Sequence, residues 1–478
     1  MNRSFFLLII GLVLLAPRVL QGSDPPIPPW RAPPRGSLTF EEEGKTILVR
    51  DVALFTGATP LISEGWMLVE NRLISGVGEG EYPEPVGANW VVIEGGGRFV
   101  TPGLIDPHSH MGVYPVPGSP AHSDGNEMVG PFTAGVEAIH SFWPQDGAIE
   151  RAVAGGVTTI QVLPGSANLI GGHGATLKLH PRLSAQEMRF PRAKDGLKMA
   201  CGENPKRVYG DKGGPQTRMG NIYRDRQTWI EAVEYARGWH KWEREWEEWS
   251  MKRRRKAEDE PEPPGRDLAK ETLMRLLEGE IHAQIHCYQA DDMLHMIDLS
   301  QEFGWEIRAF HHAIEAYKIR DVLAKDGIAS VIWADWWGFK YEAYDATIAG
   351  PALSHLDGVT VALHSDSATG IQRLNHHAAQ IYYEALDKGL AITEEDALGW
   401  ITSNPAIVLG VEGQTGTLEV GKMADFVVWS AHPLSVLAIA DYTFIDGEMM
   451  WNREEGYSVW SDFEVGQWPQ EVLMEGGE

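Results

Sequence analysis

Two histidines one residue apart close an apolar run, Leu104-Ile105-Asp106-Pro107-His108-Ser109-His110. On an extended strand residues i and i+2 point to the same side. The two imidazoles therefore converge on one point, which is what a metal ion requires. Pro107 is expected to break the strand where the ligands are presented. Further candidates hold equivalent places. His286 ends the run IHAQIH, His311 and His312 end EIRAF, and Asp366 follows VTVALHS. Any one of them alone reads as an ordinary hydrogen-bonded side chain. Five such groups, counting the adjacent His311 and His312 as one, at the ends of four apolar runs read as one metal centre.

Such residues need parallel strands to carry them. Apolar runs alternate with helical stretches through the middle of the chain, the pattern of a parallel α/β architecture. Strands are expected at LIDPH, TTIQVLP, ATLKL, GLKMACG, IHAQIHCY, EIRAFHH, ASVIWAD and VTVALHSD. Eight of them fit a (β/α)8 barrel better than an open doubly wound sheet, and a barrel carries its chemistry at the C-terminal strand ends. Both flanks, 46–100 and 415–455, are short β-rich runs between glycines. Each is too small to fold alone, so they are expected to join as a small β-sandwich domain, with the barrel spanning 101–414. Residues 239–266 form a charged helical insert in which Trp239, Trp242, Trp246 and Trp249 recur at helical spacing. That stripe reads as a ligand platform or, more ordinarily, as the packing face of a long helix on the barrel.

Several loops are expected on the same barrel face as the histidines. GSANLIGGHGATLK follows the second strand, and its glycines would let backbone N–H groups approach a ligand; His173 lies within it. Arg218 sits in the loop after the fourth strand, where a guanidinium either clamps a substrate carboxylate or makes a structural ion pair. Trp336 and Trp337 follow the seventh strand and wall a pocket or pack as a lid, with Lys340 and Tyr341 beside them.

Bulk properties narrow the classes. The chain has 478 residues and a formal charge of −26, which repels nucleic acid and anionic lipid. Arg3 followed by the apolar run Phe5–Ala16 has the make-up of a signal peptide, and the run is short of the roughly 20 residues a membrane span needs. Residues 1–22 are expected to be a cleaved signal peptide, which implies an exported, periplasmic or extracellular protein with no membrane attachment after cleavage. Residues 23–45 are a proline-rich tether and 456–478 a tail. The two cysteines, Cys201 and Cys287, are read as separate buried thiols, with one bridge as the alternative.

The motifs TPGLIDPHSH, WITSNPAIVLG and GTLEVGKMADFVVW resemble the amidohydrolase superfamily, most closely its imidazolonepropionase-like and prolidase-like branch, over nearly all of residues 46–451. The resemblance implies a (β/α)8 barrel with a β-sandwich built from both flanks. It implies His108 and His110 as the strand-one pair, His286 as the strand-five ligand and His312, rather than His311, as the strand-six ligand. Asp366 becomes the strand-eight aspartate that binds metal and shuttles the proton, with His312 beside the carbonyl. At strand four it leaves two residues open: Lys198, as a carboxylated bridging lysine, and Glu203. One or two divalent ions are implied, Zn²⁺ first, and a divalent ion lowers the pKa of bound water to about 7. The implied reaction is hydrolysis of an amide or cyclic amide in a small molecule. A prolidase-type peptidase acting on dipeptides or acyl-amino acids is the alternative. A catalytically dead binding protein would have lost a ligand position, and none is lost. Related enzymes are often dimers or larger, so the resemblance admits a homo-oligomer.

Overall fold

The structure is a computed structural model that describes residues 45–85, 89–252 and 255–457. The expected signal peptide, most of the tether and nearly all of the tail lie outside the described residues. Among the described residues fifteen strands run in chain order: β1 Thr46–Leu54, β2 Ile62–Glu70, β3 Leu73–Glu79, β4 Trp90–Pro102, β5 Leu104–Ser109, β6 Val157–Val162, β7 Ile170–Lys178, β8 Gly196–Ala200, β9 His282–His286, β10 Ile307–His311, β11 Ala329–Ile332, β12 Val361–Leu363, β13 Phe426–Trp429, β14 Ala440–Ile445 and β15 Glu448–Asn452. The helices used below are α1 Ala148–Ala154, α2 Glu203–Tyr209, α3 Arg218–Ser250, α4 Leu268–Leu277 and α5 Ala290–Phe303.

Strands β5 to β12 form one eight-stranded sheet in sequence order. Their residues are mostly apolar, with the chemistry-bearing side chains set among them, and nearly every position is buried, as expected for strands covered on both faces. The sheet curls into a nearly closed barrel. Between its end strands the backbone of Trp400 and Ile401 intervenes, accepting hydrogen bonds from Leu363 and Ile105. At the C-terminal rim the Asp366 N–H reaches the His108 carbonyl at 3.3 Å. The third strand departs from the simple barrel: β7 is antiparallel to both β6 and β8. The glycine-rich run Ile170–Gly174 belongs to this buried strand, which corrects its expected role as a substrate loop. Gly172 is there because Val136 lies so close that a β-carbon would meet its carbonyl oxygen at 2.5 Å, at a φ of +114°.

Both flanks meet in one seven-stranded sheet, β15-β14-β13-β4-β1-β2-β3. It has its own core, in which Val49, Met67 and Val100 from the first flank pack with Phe426, Val428 and Phe444 from the second. Neither flank owns enough apolar surface to be stable alone, so the chain leaves this sheet, builds the barrel and returns.

Residues 236–252 and 255–265 make a compact unit of their own. Trp239, Trp242 and Trp246 are buried in it. Trp242 Nε1 donates to the Pro261 carbonyl at 3.0 Å and Trp249 Nε1 to that of Lys256 at 3.1 Å. The tryptophan stripe is thus packing surface, with three of its four rings unavailable to a ligand. No helix of the described residues is long and apolar enough to cross a membrane.

Candidate active site

Strand β5 carries Asp106, His108 and, one step beyond its end, His110. Pro107 does not stop the strand; it interrupts the ladder, so Asp106 pairs with Ile160 and the next pairing is Ser109 with Val162. The expected convergence is present: His108 Nε2 and His110 Nε2 lie 3.4 Å apart. His110 Nδ1 donates to the Leu163 carbonyl at 2.8 Å, which leaves the lone pair on Nε2. Asp366 Oδ1 is 3.2 Å from His110 Nε2 and 3.9 Å from His108 Nε2, and its Oδ2 is 3.8 Å from His312 Nδ1. The His286 ring stands 4.7 Å from that of His312.

His312 and Asp366 share a backbone peculiarity. Their φ angles are +56° and +48°, in the left-handed region that non-glycine residues rarely visit. Simple strand alternation would send His311 and His312 to opposite faces. The turn at His312 lets both face the barrel interior: His311 meets His108 and Gln284, while His312 meets Asp366.

Burial holds the imidazoles neutral. His108, His286 and His312 all fall well below the ordinary histidine value, first through desolvation and then through neighbouring lysines at His108 and His286 and neighbouring histidines at His312. Burial alone would raise Asp366, but the nearness of His110 first, then of His364 and Lys198, pulls its carboxyl below the usual value. Lys198 is fully buried on β8 and burial lowers its ammonium to about 7, against the pull of Asp366. Its Nζ donates to the Pro164 carbonyl at 2.8 Å. His110 and Asp366 are the members that reach solvent, with side chains 19% and 20% exposed, so they mark the open side of the cluster.

These residues fit a divalent cation. Nitrogens and carboxylate oxygens of His108, His110 and Asp366 lie close enough together to share one ion. Buried His312 Nδ1, which faces Asp366 Oδ2, has no hydrogen-bond partner, a condition that costs stability unless a ligand relieves it. Neutral imidazoles with a carboxylate are the donor set of zinc and its neighbours in the first transition row.

The other expected site residues lie elsewhere. Glu203, the first residue of α2, pairs with Lys340 Nζ at 3.3 Å, outside the His/Asp cluster. His173 Nε2 is bonded to Thr272 of α4 at 2.8 Å and its Nδ1 faces Asp195 at 3.7 Å, so its ring serves the packing of β7 against a helix. Arg218 is the first residue of α3 rather than a loop residue. Its Nε donates to Asp292 at 2.8 Å and its Nη2 to Gln289 at 2.7 Å and to Glu342, the structural ion pair rather than a free clamp. Trp336 packs on Trp333, whereas Trp337 is 62% exposed.

Sequence reasoning missed four residues around the cluster. Trp333 stacks its ring 4.6 Å from His312 and 4.9 Å from His364. Tyr288 stands 4.7 Å from His286, and its place two residues after that histidine was a usable signal. His364, two before Asp366, is fully buried with neither ring nitrogen paired, and with His108 and His312 it makes a second grouping of possible ligands. Asn204 Nδ2 is 3.2 Å from His286 Nε2, and Lys340 donates to Asn204 Oδ1 at 3.0 Å. Cys201 and Cys287, at the ends of β8 and β9, form a disulfide, which corrects the reading of two separate thiols. Adjacent parallel strands in register, Ala200 opposite His286, bring their following residues together.

Comparison with known proteins gives this arrangement a context. Residues 342–455, which include Asp366 and strands β13 to β15, match the model of the amidohydrolase family. A solved amidohydrolase from Thermotoga maritima MSB8 is 36% identical, with a TM-score of 0.75 over 85% of this chain and 100% of that one. Amidohydrolase tasK of Hapsidospora irregularis is 34% identical over 433 residues, 84% of this chain and 43% of that protein. An imidazolonepropionase of Serratia proteamaculans is 30% identical over 151 residues, 30% of this chain and 35% of its own length. The chain thus spans less than half of the curated relatives it matches. Covering the whole of a solved relative at better than one identical residue in three, the chain belongs to the amidohydrolase superfamily of hydrolases.

Proposed function

We propose that this chain hydrolyses a carbon–nitrogen bond, an amide or cyclic amide, in a small molecule. The observation that carries the reading is the Asp366 carboxylate, kept ionised at the open side of the cluster between His110 and His312. His108, His110, His286, His312 and Asp366 would hold the metal, Zn²⁺ first, with Lys198 rather than Glu203 as the group from the fourth barrel strand. A divalent ion bound there supplies Lewis-acid polarisation of a carbonyl and acidifies water to a pKa of about 7. Asp366 accepts the proton of the attacking water and passes it to the leaving nitrogen. His312, at the Oδ2 side of Asp366, borders the space where the carbonyl oxygen must lie. Trp333 and Tyr288 wall that space and limit water. Similarity to imidazolonepropionases over a stretch of the chain favours cyclic amides.

A second reading, a prolidase-type peptidase for dipeptides or acyl-amino acids, is favoured by one observation. A buried lysine amine that is half neutral near pH 7 is the form that takes up CO₂ to become a bridging carbamate. Export is part of the proposal. The apolar run at residues 5–16 supports it, as does the Cys201–Cys287 bridge, since disulfides persist in oxidising compartments.

The test is a hydrolysis screen of cyclic amides, dipeptides and N-acyl amino acids with the Zn²⁺-loaded chain, beside Asp366→Asn. The variant is expected to lose about 10²–10⁴-fold in kcat on whichever substrate turns over. An active chain whose Asp366→Asn variant keeps full kcat defeats the proton-shuttle assignment. A zinc-loaded chain inert across all three classes defeats the reading of the substrate.

A further inference from the structure

His108 and His110 reach the same point with Nε2, but their opposite nitrogens are held differently. His110 Nδ1 donates to a backbone carbonyl, Leu163 at 2.8 Å. A carbonyl only accepts, so the hydrogen of His110 is fixed on Nδ1 by the main chain. The opposite nitrogen of His108 has a side chain in that place: its Nδ1 lies 2.8 Å from His311 Nδ1. Two imidazole nitrogens that close must share one hydrogen, and either could carry it. The next contact decides between them. His311 Nε2 lies 2.6 Å from Gln284 Oε1, an amide oxygen that only accepts. His311 therefore carries its hydrogen on Nε2 and presents a bare Nδ1. His108 must then donate from Nδ1, and its lone pair stands on Nε2, the atom facing His110 Nε2 and Asp366 Oδ1.

We infer that His311 and Gln284 are positioning residues that set the ligand atom of His108, acting as a side-chain relay in place of the backbone carbonyl that serves His110. The inference rests on the metal-dependent reading of the site. Reversing the chain would put a hydrogen on His108 Nε2 and remove it as a donor to metal. All three groups are fully buried, at β5, β9 and β10, so no solvent can substitute for a lost partner. The relay also gives the adjacent pair His311-His312 separate duties. His311 acts through His108 while His312 faces Asp366, and the positive φ at His312 is what lets both residues point inward.

The test measures Co²⁺ affinity of the full chain by chelator competition, with the visible Co²⁺ spectrum as a second readout. The variants are His311→Leu, His311→Asn and Gln284→Leu. Asparagine places an oxygen close to the position of Nδ1 and restores the acceptor for His108; leucine fills the space without one. His311→Leu is expected to weaken Co²⁺ binding about 10–100-fold and to change the ligand-field bands. His311→Asn should recover most of the loss, and Gln284→Leu should fall between. Circular dichroism confirms the fold, and if His311→Leu does not fold, the comparison of His311→Asn with Gln284→Leu carries the test. Folded variants with wild-type Co²⁺ affinity and spectrum overturn the relay alone. His311→Asn as weak as His311→Leu overturns the acceptor role of His311. A wild-type chain that takes up no Co²⁺ overturns both the relay and the metal-dependent function on which it rests.

Discussion

Lys198 is the residue whose chemistry departs furthest from its type. A lysine on a fully buried strand pays for desolvating its charge, and here the amine falls to about 7 instead of 10.5. The linked stability has a definite sign. Between pH 7 and 10.5 the unfolded chain binds a proton at this position that the folded chain does not, so stability rises with pH through that window. It is lost again as pH falls toward 7. For the metal-free chain the whole window is worth on the order of 5 kcal/mol. Urea denaturation at pH 7 and pH 9.5 should show the rise in wild type and a flatter response in Lys198→Met. An equally steep rise in the variant would place the effect on another group. Of the residues that make the cluster, the sequence revealed the five at strand ends and the lysine. It hid Trp333 and His364, because a tryptophan or a histidine in an apolar run reads as core until its neighbours are known.

At the scale of elements, the ion-pair network around α3 stands where a substrate clamp was one expectation. Arg218 opens α3 and holds Asp292 of α5 and Glu342, whose side chains are only 5% and 2% exposed. Arg218→Ala would leave buried Asp292 without its cation and Glu342 with Lys340 alone, and is expected to cost roughly 1–3 kcal/mol, read as a lower denaturation midpoint. The substrate KM should change little. Unchanged stability with a raised KM for carboxylate-bearing substrates would instead make Arg218 a clamp. The antiparallel β7 belongs to this scale too. Its period of buried residues looks the same in either direction, so hydrophobic pattern cannot report which way a fully buried strand runs. The glycines that suggested a ligand loop are there for close packing, as at Gly172.

For the whole molecule, the joint between barrel and flanking sheet rests partly on one buried cation. Lys178, at the end of β7, donates to Asp425 at 3.0 Å and also to Asp446, which bracket β13 and β14. Burial disfavours the ammonium, but the two carboxylates more than restore it and hold its pKa above the ordinary lysine value. Lys178→Met strands those carboxylates and should cost about 3–5 kcal/mol in chemical denaturation. Asp425→Asn added to it should return part of the loss, since one buried charge then disappears; no recovery would mean that packing, not charge, sets the cost.

The sequence by itself determined the barrel, the return of the chain to a shared sheet, and the strand-end candidates His108, His110, His286, His312 and Asp366. It could do so because parallel strands read as continuous apolar runs and a period of two places side chains on one face. Tertiary structure alone decided that β7 runs backwards and that Cys201 and Cys287 meet across two strands. It also decided that Glu203 is spent on Lys340 and that His311 turns inward beside His312. Each of these depends on which strands lie side by side and on a left-handed backbone step at one residue. Neither leaves a mark in local spacing, because the partners are far apart in the chain and the strain is offset by contacts that form only when the barrel curls.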